Sequence, residues 1–327
     1  MPILKSDFSP TLPFKNGYFN TMYRPLFTKE VCRYTRKRIT TWDADFIDLD
    51  FSLIGSETLI LLIHGLEGSS HSKYITATSN HLNKKGLDTV CFNLRSCSGE
   101  DNLLLSTYHS GKTEDVDFVV NYLLENYAYQ NIILVGFSLG GNLTLKYLGE
   151  YQQKLSDKVK GGVAISVPVD ITSAEVEMDR LKNKLYVELF FKTLKNKILE
   201  KAHKFPDYKL DKDKLFKATK FKHLEHLYTV PVFGFKNPED YWEKASSKTY
   251  LPRIDRPTLL INAKDDTFLS NECYPRKEAL KSSNFYLEIT DYGGHCGFIN
   301  SFKPHENTWL EQRISWFIEE KIQIKFS

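Results

Sequence analysis

Ile133-Leu-Val-Gly-Phe-Ser-Leu-Gly-Gly141 is the stretch on which the fold turns. An apolar, β-branched run ends in Gly136-Phe137-Ser138-Leu139-Gly140, a G-x-S-x-G, and Asn142–Tyr151 continues as a helical pattern. The five-residue pattern alone is weak. Its setting between a strand and a helix makes it specific, because a sharp strand-to-helix turn is where such a serine does chemistry. Glycines on either side let the backbone turn tightly without a Cβ clash and push the hydroxyl out above a sheet. The helix that follows points its N-terminus at the serine, which favours developing negative charge. The bland alternative is a glycine-rich turn carrying an idle serine.

Outward from that turn, short apolar runs alternate with amphipathic ones. Thr58–Ile63, Thr89–Leu94, Ile132–Val135, Val163–Val167, Thr258–Ile261 and Phe285–Ile289 are predicted as buried strands bounded by Gly, Asp, Asn or Pro. Tyr74–Leu82, Glu114–Asn126, Leu139–Tyr151 and Arg276–Leu280 are predicted as helices, and Thr308–Ile322 as a closing docked helix. This alternation predicts an α/β protein whose mostly parallel sheet carries helices on both faces.

The rhythm breaks between about 170 and 248, where no strand-helix unit is visible. Tyr186, Phe190, Leu194 and Ile198 fall at helical spacing, and Leu181, Leu185 and Leu189 read as widening that apolar stripe. The expectation is a single domain over 1–327 with a helical cap insertion at about 170–248. Asp179–Leu224 holds 14 Lys+Arg against 6 Asp+Glu. That basic excess suggests peripheral contact with an anionic membrane surface, although a solvated helix face explains it as well.

A serine nucleophile needs a base and an acid that orients the base. Behind an elbow of this kind the acid comes next in the chain and the histidine last. Leu259-Leu-Ile-Asn-Ala-Lys-Asp-Asp266 puts two aspartates just after a strand, and Asp291-Tyr-Gly-Gly-His295 puts a histidine just after the next. Asp265 and Asp266 both remain open at this point, since either also suits a helix N-cap. An oxyanion needs backbone donors. The Leu139 N–H follows the serine, and Leu66 in His64-Gly-Leu-Glu-Gly68 offers a second after an early strand.

Composition fits this reading. Aromatics at 13% and a net charge of +3 over 327 residues exclude a disordered chain and argue against a general nucleic-acid binder. Five cysteines show no CxxC pair and suggest reduced thiols in a cytoplasmic protein without structural zinc. The N-terminus lacks the apolar core of a secretory signal, and no run is long enough to span a membrane. No cofactor and no metal are required.

Taken together the chain resembles the α/β-hydrolases, and more narrowly the YheT-like esterase group with its plant embryogenesis-associated and animal abhydrolase-domain members. The resemblance rests on Asn16–Thr21, Trp42–Asp50, His64-Gly-Leu-Glu-Gly-Ser-Ser-His-Ser-Lys-Tyr74, Asn93-Leu-Arg-Ser-Cys-Ser-Gly-Glu100, Tyr108-His-Ser-Gly111, Gly136–Asn142, Asn262–Asp266 and Gly293-Gly-His-Cys-Gly-Phe298. It implies Ser138 as nucleophile, Asp266 as acid and His295 as base. It also implies a carboxylic-ester substrate: short- to medium-chain esters or acylglycerol-type lipids. Thr267 stands where the family usually has Pro, and Ser96 where it usually has Gly. Acyl transfer to an alcohol, and a non-catalytic binding protein on the same fold, are the alternatives.

Overall fold

The computed structural model describes residues 2–326. Among the described residues nine strands are formed: β1 (Ile3–Leu4), β2 (Thr35–Thr40), β3 (Phe46–Ser52), β4 (Thr58–Ile63), β5 (Asp88–Asn93), β6 (Asn131–Phe137), β7 (Val159–Ile165), β8 (Thr258–Ala263) and β9 (Phe285–Thr290). They lie in one sheet in the order β1-β9-β8-β7-β6-β4-β5-β3-β2. Every neighbouring pair is parallel except the two that involve β3.

The period-2 pattern of the strands sorts the core into two layers. On β4, Leu59, Leu61 and Ile63 face one side and pack with Val116, Val119 and Leu123 of helix Thr113–Asn126 and with Leu143 of helix Leu139–Glu150. Ile60 and Leu62 face the other side, against Ile75 of helix Lys73–Lys84 and Ile314 and Phe317 of helix Trp309–Glu320. Each such side chain removed from water contributes about 1.5–3 kcal/mol. Helices therefore cover both faces, as the sequence alternation predicts. The register is the part that serves function. Ile63 pairs Gly136, Phe137 pairs Ile165, and Ile165 pairs Ile261, so the strands end level along one rim.

Three strands escape the sequence reading. β2, Thr-Arg-Lys-Arg-Ile-Thr, is an exposed edge strand. β3 buries Asp48 and Asp50. Arg38 Nε meets Asp48 at 2.8 Å and Arg36 Nε meets Asp50 at 2.7 Å. Charges with partners on the neighbouring strand hide the apolar alternation of β3. β1 is too short to carry a pattern.

Between β7 and β8 the chain is helical: Ile171–Met178, Lys184–Lys204, Lys212–Lys217, Phe221–Leu227, Thr229–Phe233 and Pro238–Ala245. Tyr186, Val187, Phe191 and Ile198 of the long helix are buried with Phe221 and Leu224. Leu181, Leu185 and Leu189 differ from the sequence reading. They are 88%, 60% and 54% exposed: Leu181 lies in the turn Leu181–Asn183 ahead of the helix, and the aromatic face of the helix takes the inward position and leaves Leu185 and Leu189 outside. The basic excess is partly spent inside the protein. Lys201 is buried and donates to the Asn102 and Leu104 carbonyls at 2.8 and 2.6 Å, and Lys195 donates to the Ala218 carbonyl at 2.7 Å.

Candidate active site

Ser138 follows β6 directly and caps helix Leu139–Glu150 with φ 53° and ψ −118°. A non-glycine residue is strained there, and the surroundings hold it. Its N–H donates to Ile165 O at 2.8 Å. Close approach, rather than positive φ, fixes the two glycines. A Cβ on Gly136 would lie 2.2 Å from Gly140 O, and one on Gly140 would lie 2.2 Å from Ile63 O.

Asp266 sits in the turn after β8. It is buried, and its Oδ1 accepts from Phe268 N at 3.0 Å. His295 lies in the loop after β9, where its N–H donates to Thr21 Oγ1 at 2.8 Å and the Phe268 ring packs 4.4 Å from the imidazole. The structure brings the three together: His295 Nε2 is 2.9 Å from Ser138 Oγ, and His295 Nδ1 is 2.8 Å from Asp266 Oδ2. Burial alone would lower the imidazole pKa. The adjoining Asp266 carboxylate outweighs it and moves the group upward.

Asp265, the other open aspartate, points elsewhere. Its Oδ1 accepts from Gly294 N at 2.8 Å, so it shapes the turn that presents His295. Burial, helped by the neighbouring Asp266 charge, pushes its carboxyl up to about 6.

Leu66 lies in the loop after β4, and Leu139 opens the helix behind Ser138. The loop crosses close to the serine: a Cβ on Gly65 would lie 3.1 Å from Ser138 Cβ. Leu139 N–H, in a first helical turn, has no acceptor one turn back. His64 anchors the loop from below. Its Nε2 accepts from Leu94 N at 3.1 Å, and burial pulls its imidazole down to about 4, which keeps it neutral.

Sequence reasoning missed Thr21, Tyr74, Tyr108 and Phe268. Tyr74 OH accepts from Gly65 N at 3.0 Å, and Tyr108 OH accepts from Glu67 N at 3.0 Å. Both tyrosines stood in the family-like segments, which was the available signal. The two departures from the family pattern have local accounts. Ser96 holds φ 63°, where glycine is at ease, and its hydroxyl donates to Asp101 Oδ1 at 2.6 Å. Thr267 is tied to the insertion, its carbonyl accepting from Asn183 Nδ2 at 2.7 Å. Arg95 is fully buried among Asp43, Asp45 and Asp115 at 2.8, 3.0 and 2.8 Å, and so organises loops away from the serine.

A cavity of about 710 Å³ opens onto Ser138 and His295, with Leu66, Met178, Phe190 and Leu224 among its mostly apolar walls. That size suits a small-molecule ligand. All five cysteines are buried free thiols. Among the described residues, no group of three or more His, Cys, Asp or Glu is placed to hold a metal ion, and no helix is long and apolar enough to cross a membrane.

With this geometry in view, comparison with known proteins is specific. Residues 58–302 match the family model described as alpha/beta hydrolase fold. The "Putative esterase YheT" of Escherichia coli is 30% identical across 98% of this chain and 95% of its own length. "Phospholipase ABHD3" of Mus musculus is 28% identical across 98% of this chain and 80% of its own. Among solved structures, the Pyrococcus furiosus esterase Pf2001 superposes with a TM-score of 0.59 over 88% of this chain and 93% of its own, at 20% identity, a likeness of fold. Sheet order, elbow and near full-length identity agree: the chain belongs to the α/β-hydrolase fold family, in the group that contains YheT.

Proposed function

We propose that the protein hydrolyses carboxylic esters through an acyl-enzyme on Ser138. The observation that carries this reading is the unbroken relay from Ser138 Oγ through His295 to Asp266, at 2.9 and 2.8 Å. His295 Nε2 takes the Ser138 proton as Oγ attacks the ester carbonyl carbon. The Leu66 and Leu139 N–H groups hold the resulting oxyanion, and Asp266 stabilises the imidazolium. The tetrahedral intermediate collapses, the C–O bond breaks, and the alcohol leaves with the proton from His295. Water then adds to the acyl carbon, its proton passing through His295, and the acid is released with Ser138 restored.

The apolar cavity supports a hydrocarbon acyl chain, in keeping with the relatives named esterase, phospholipase and monoacylglycerol lipase. Leu26, on helix Gly17–Phe27, and Leu189 both line the cavity and are 61% and 54% exposed, so its mouth is rimmed with apolar side chains. With Leu185 one turn before Leu189 on the same helix and Leu181 exposed in the turn ahead of it, this rim supports peripheral docking at a lipid surface.

The test is labelling by a fluorophosphonate together with turnover of p-nitrophenyl esters of increasing acyl length. Both are expected to vanish in Ser138→Ala. An enzyme that turns over these esters equally well without the Ser138 hydroxyl would refute the proposal. Product analysis with added ethanol separates hydrolysis from acyl transfer.

A further inference from the structure

Glu67 stands next to Leu66 in the loop after β4, and its placement is unusual on three counts. Its backbone holds φ 55°, a region disfavoured for a residue with a Cβ. Its N–H donates to Tyr108 OH at 3.0 Å, and the same hydroxyl donates back to Glu67 Oε1 at 2.6 Å. Its carboxylate side chain is only 6% exposed, yet it lies under the insertion, where Lys197 Nζ of helix Lys184–Lys204 donates to Glu67 Oε1 at 2.9 Å. Lys197 Nζ also reaches Cys97 Sγ at 3.3 Å. Two groups from separate segments, Tyr108 OH and Lys197 Nζ, thus close on one carboxylate oxygen at the wall of the cavity.

The loop is pinned elsewhere as well. Gly65 N donates to Tyr74 OH at 3.0 Å, and Gly68 N donates to Gly65 O at 3.0 Å. Among the described residues, Leu66 N–H has no acceptor within the protein. The peptide on its C-terminal side is the one held in the left-handed conformation by Tyr108 and the Glu67 carboxylate. Without a charged partner, a carboxylate in this position would be desolvated and uncompensated, and the loop would relax to release it. Lys197 supplies that partner, and it comes from the insertion rather than from the sheet.

We propose that Lys197 is a positioning residue which, through Glu67 and Tyr108, holds the Leu66 N–H in its oxyanion-binding place. Seating of the insertion on the sheet and completion of the oxyanion site are then one event. An enzyme with the insertion displaced binds ester but stabilises its tetrahedral intermediate poorly. This inference rests on the hydrolase reading above.

The experiment measures kcat and KM for a p-nitrophenyl ester in the native chain and in Lys197→Met, Lys197→Arg and Glu67→Gln, per site titrated with fluorophosphonate, and turnover per total protein in Ser138→Ala. Loss of one oxyanion donor is costly, and its misplacement by Lys197→Met is expected to lower kcat about 10- to 100-fold with KM changed by less than about threefold. Glu67→Gln is expected to do the same, and Lys197→Arg to recover most of the loss. Binding of a boronic acid, which mimics the tetrahedral state, should weaken in step with kcat. A residue that merely held the substrate pocket in shape would raise KM instead. Should Lys197→Met fail to fold, Glu67→Gln decides the matter alone. Unchanged kcat in the folded variants, a loss confined to KM, or a loss that Lys197→Arg shares in full would overturn the proposal. Turnover surviving in Ser138→Ala would overturn the hydrolase reading and this one with it, whereas an inert Ser138→Ala beside unaffected Lys197 and Glu67 variants would overturn this one alone.

Discussion

His295 Nε2 meets Ser138 Oγ at 2.9 Å across 157 residues of chain. Neither residue reaches the other by local structure. β6 delivers the serine, β9 delivers the histidine, and the level ends of the parallel strands bring both loops to one rim.

The two aspartates are separable by experiment. Asp266→Asn leaves an amide beside His295 Nδ1 and removes the charge that stabilises the imidazolium, so kcat is expected to fall by about 10³- to 10⁴-fold. Asp265→Asn keeps an oxygen for Gly294 N and should cost less than about tenfold, since the hydrogen bond it weakens lies outside the relay. Steady-state kinetics on one ester decides between them, and equal losses would show that the assignment is wrong.

The pH profile follows from His295. The proposed mechanism needs the neutral imidazole, so activity is expected to fall as pH drops through the His295 pKa. Asp266 moves that pKa upward from the ordinary histidine value. The acid limb of kcat/KM is therefore expected above about pH 6.5, the unperturbed position. In Asp266→Asn the limb should move to lower pH even as the rate falls. A limb that stays put in that variant would mean that another group controls it.

Gly140 tests the elbow packing. A Cβ there would sit 2.2 Å from Ile63 O, which is backbone and cannot swing away. Gly140→Ala is expected to lower stability by about 3 kcal/mol, at the upper end for overpacking, with loss of activity. Urea denaturation would register it, and a variant as stable as the native chain would contradict the geometry.

Arg95 is a buried cation between Asp45 and Asp115 at 3.0 and 2.8 Å. Arg95→Met strands both carboxylates, and about 3–5 kcal/mol of stability should be lost. Any purified Arg95→Met enzyme should keep a near-native KM, because the hub does not line the cavity.

The apolar rim can be removed without touching the relay. Leu181→Asp with Leu185→Asp is expected to reduce cosedimentation with phosphatidylcholine vesicles several-fold, since burying charge in a lipid interface is unfavourable. Turnover of a soluble short-chain ester should stay within about threefold, because neither residue bears on the relay. Unchanged vesicle binding would dismiss the rim as a docking surface.

Most of the central sheet was legible because β4 through β9 are buried on both faces and read as apolar runs. β2 and β3 were not, because Arg36, Arg38, Asp48 and Asp50 satisfy one another across the strands and present a charged pattern. Ser138 and His295 were legible from the glycines around them. Asp266 was separated from Asp265 by resemblance alone, since the two differ by direction of pointing, which adjacent residues do not reveal. Tyr108, Thr21 and Lys197 act through partners remote in sequence, and periodicity carries no trace of such contacts. The outward turn of Leu185 and Leu189 was hidden for a related reason: the long helix carries apolar residues on more than one face, and only the packed sheet decides which face turns inward.

Asn142, one turn beyond Ser138, donates through Nδ2 to Ser110 O and Ala245 O, both at 2.8 Å, and accepts through Oδ1 from Ser247 N at 2.9 Å. The helix that presents the serine is thereby stitched to the end of helix Pro238–Ala245 and the residues just after it. For protein engineering, this defines a splice point. A foreign segment exchanged for the helices between β7 and β8 should be joined upstream of Ala245, leaving Asn142 its three partners, and a graft that cuts beyond Ser247 would loosen the scaffold beneath the Ser138 hydroxyl.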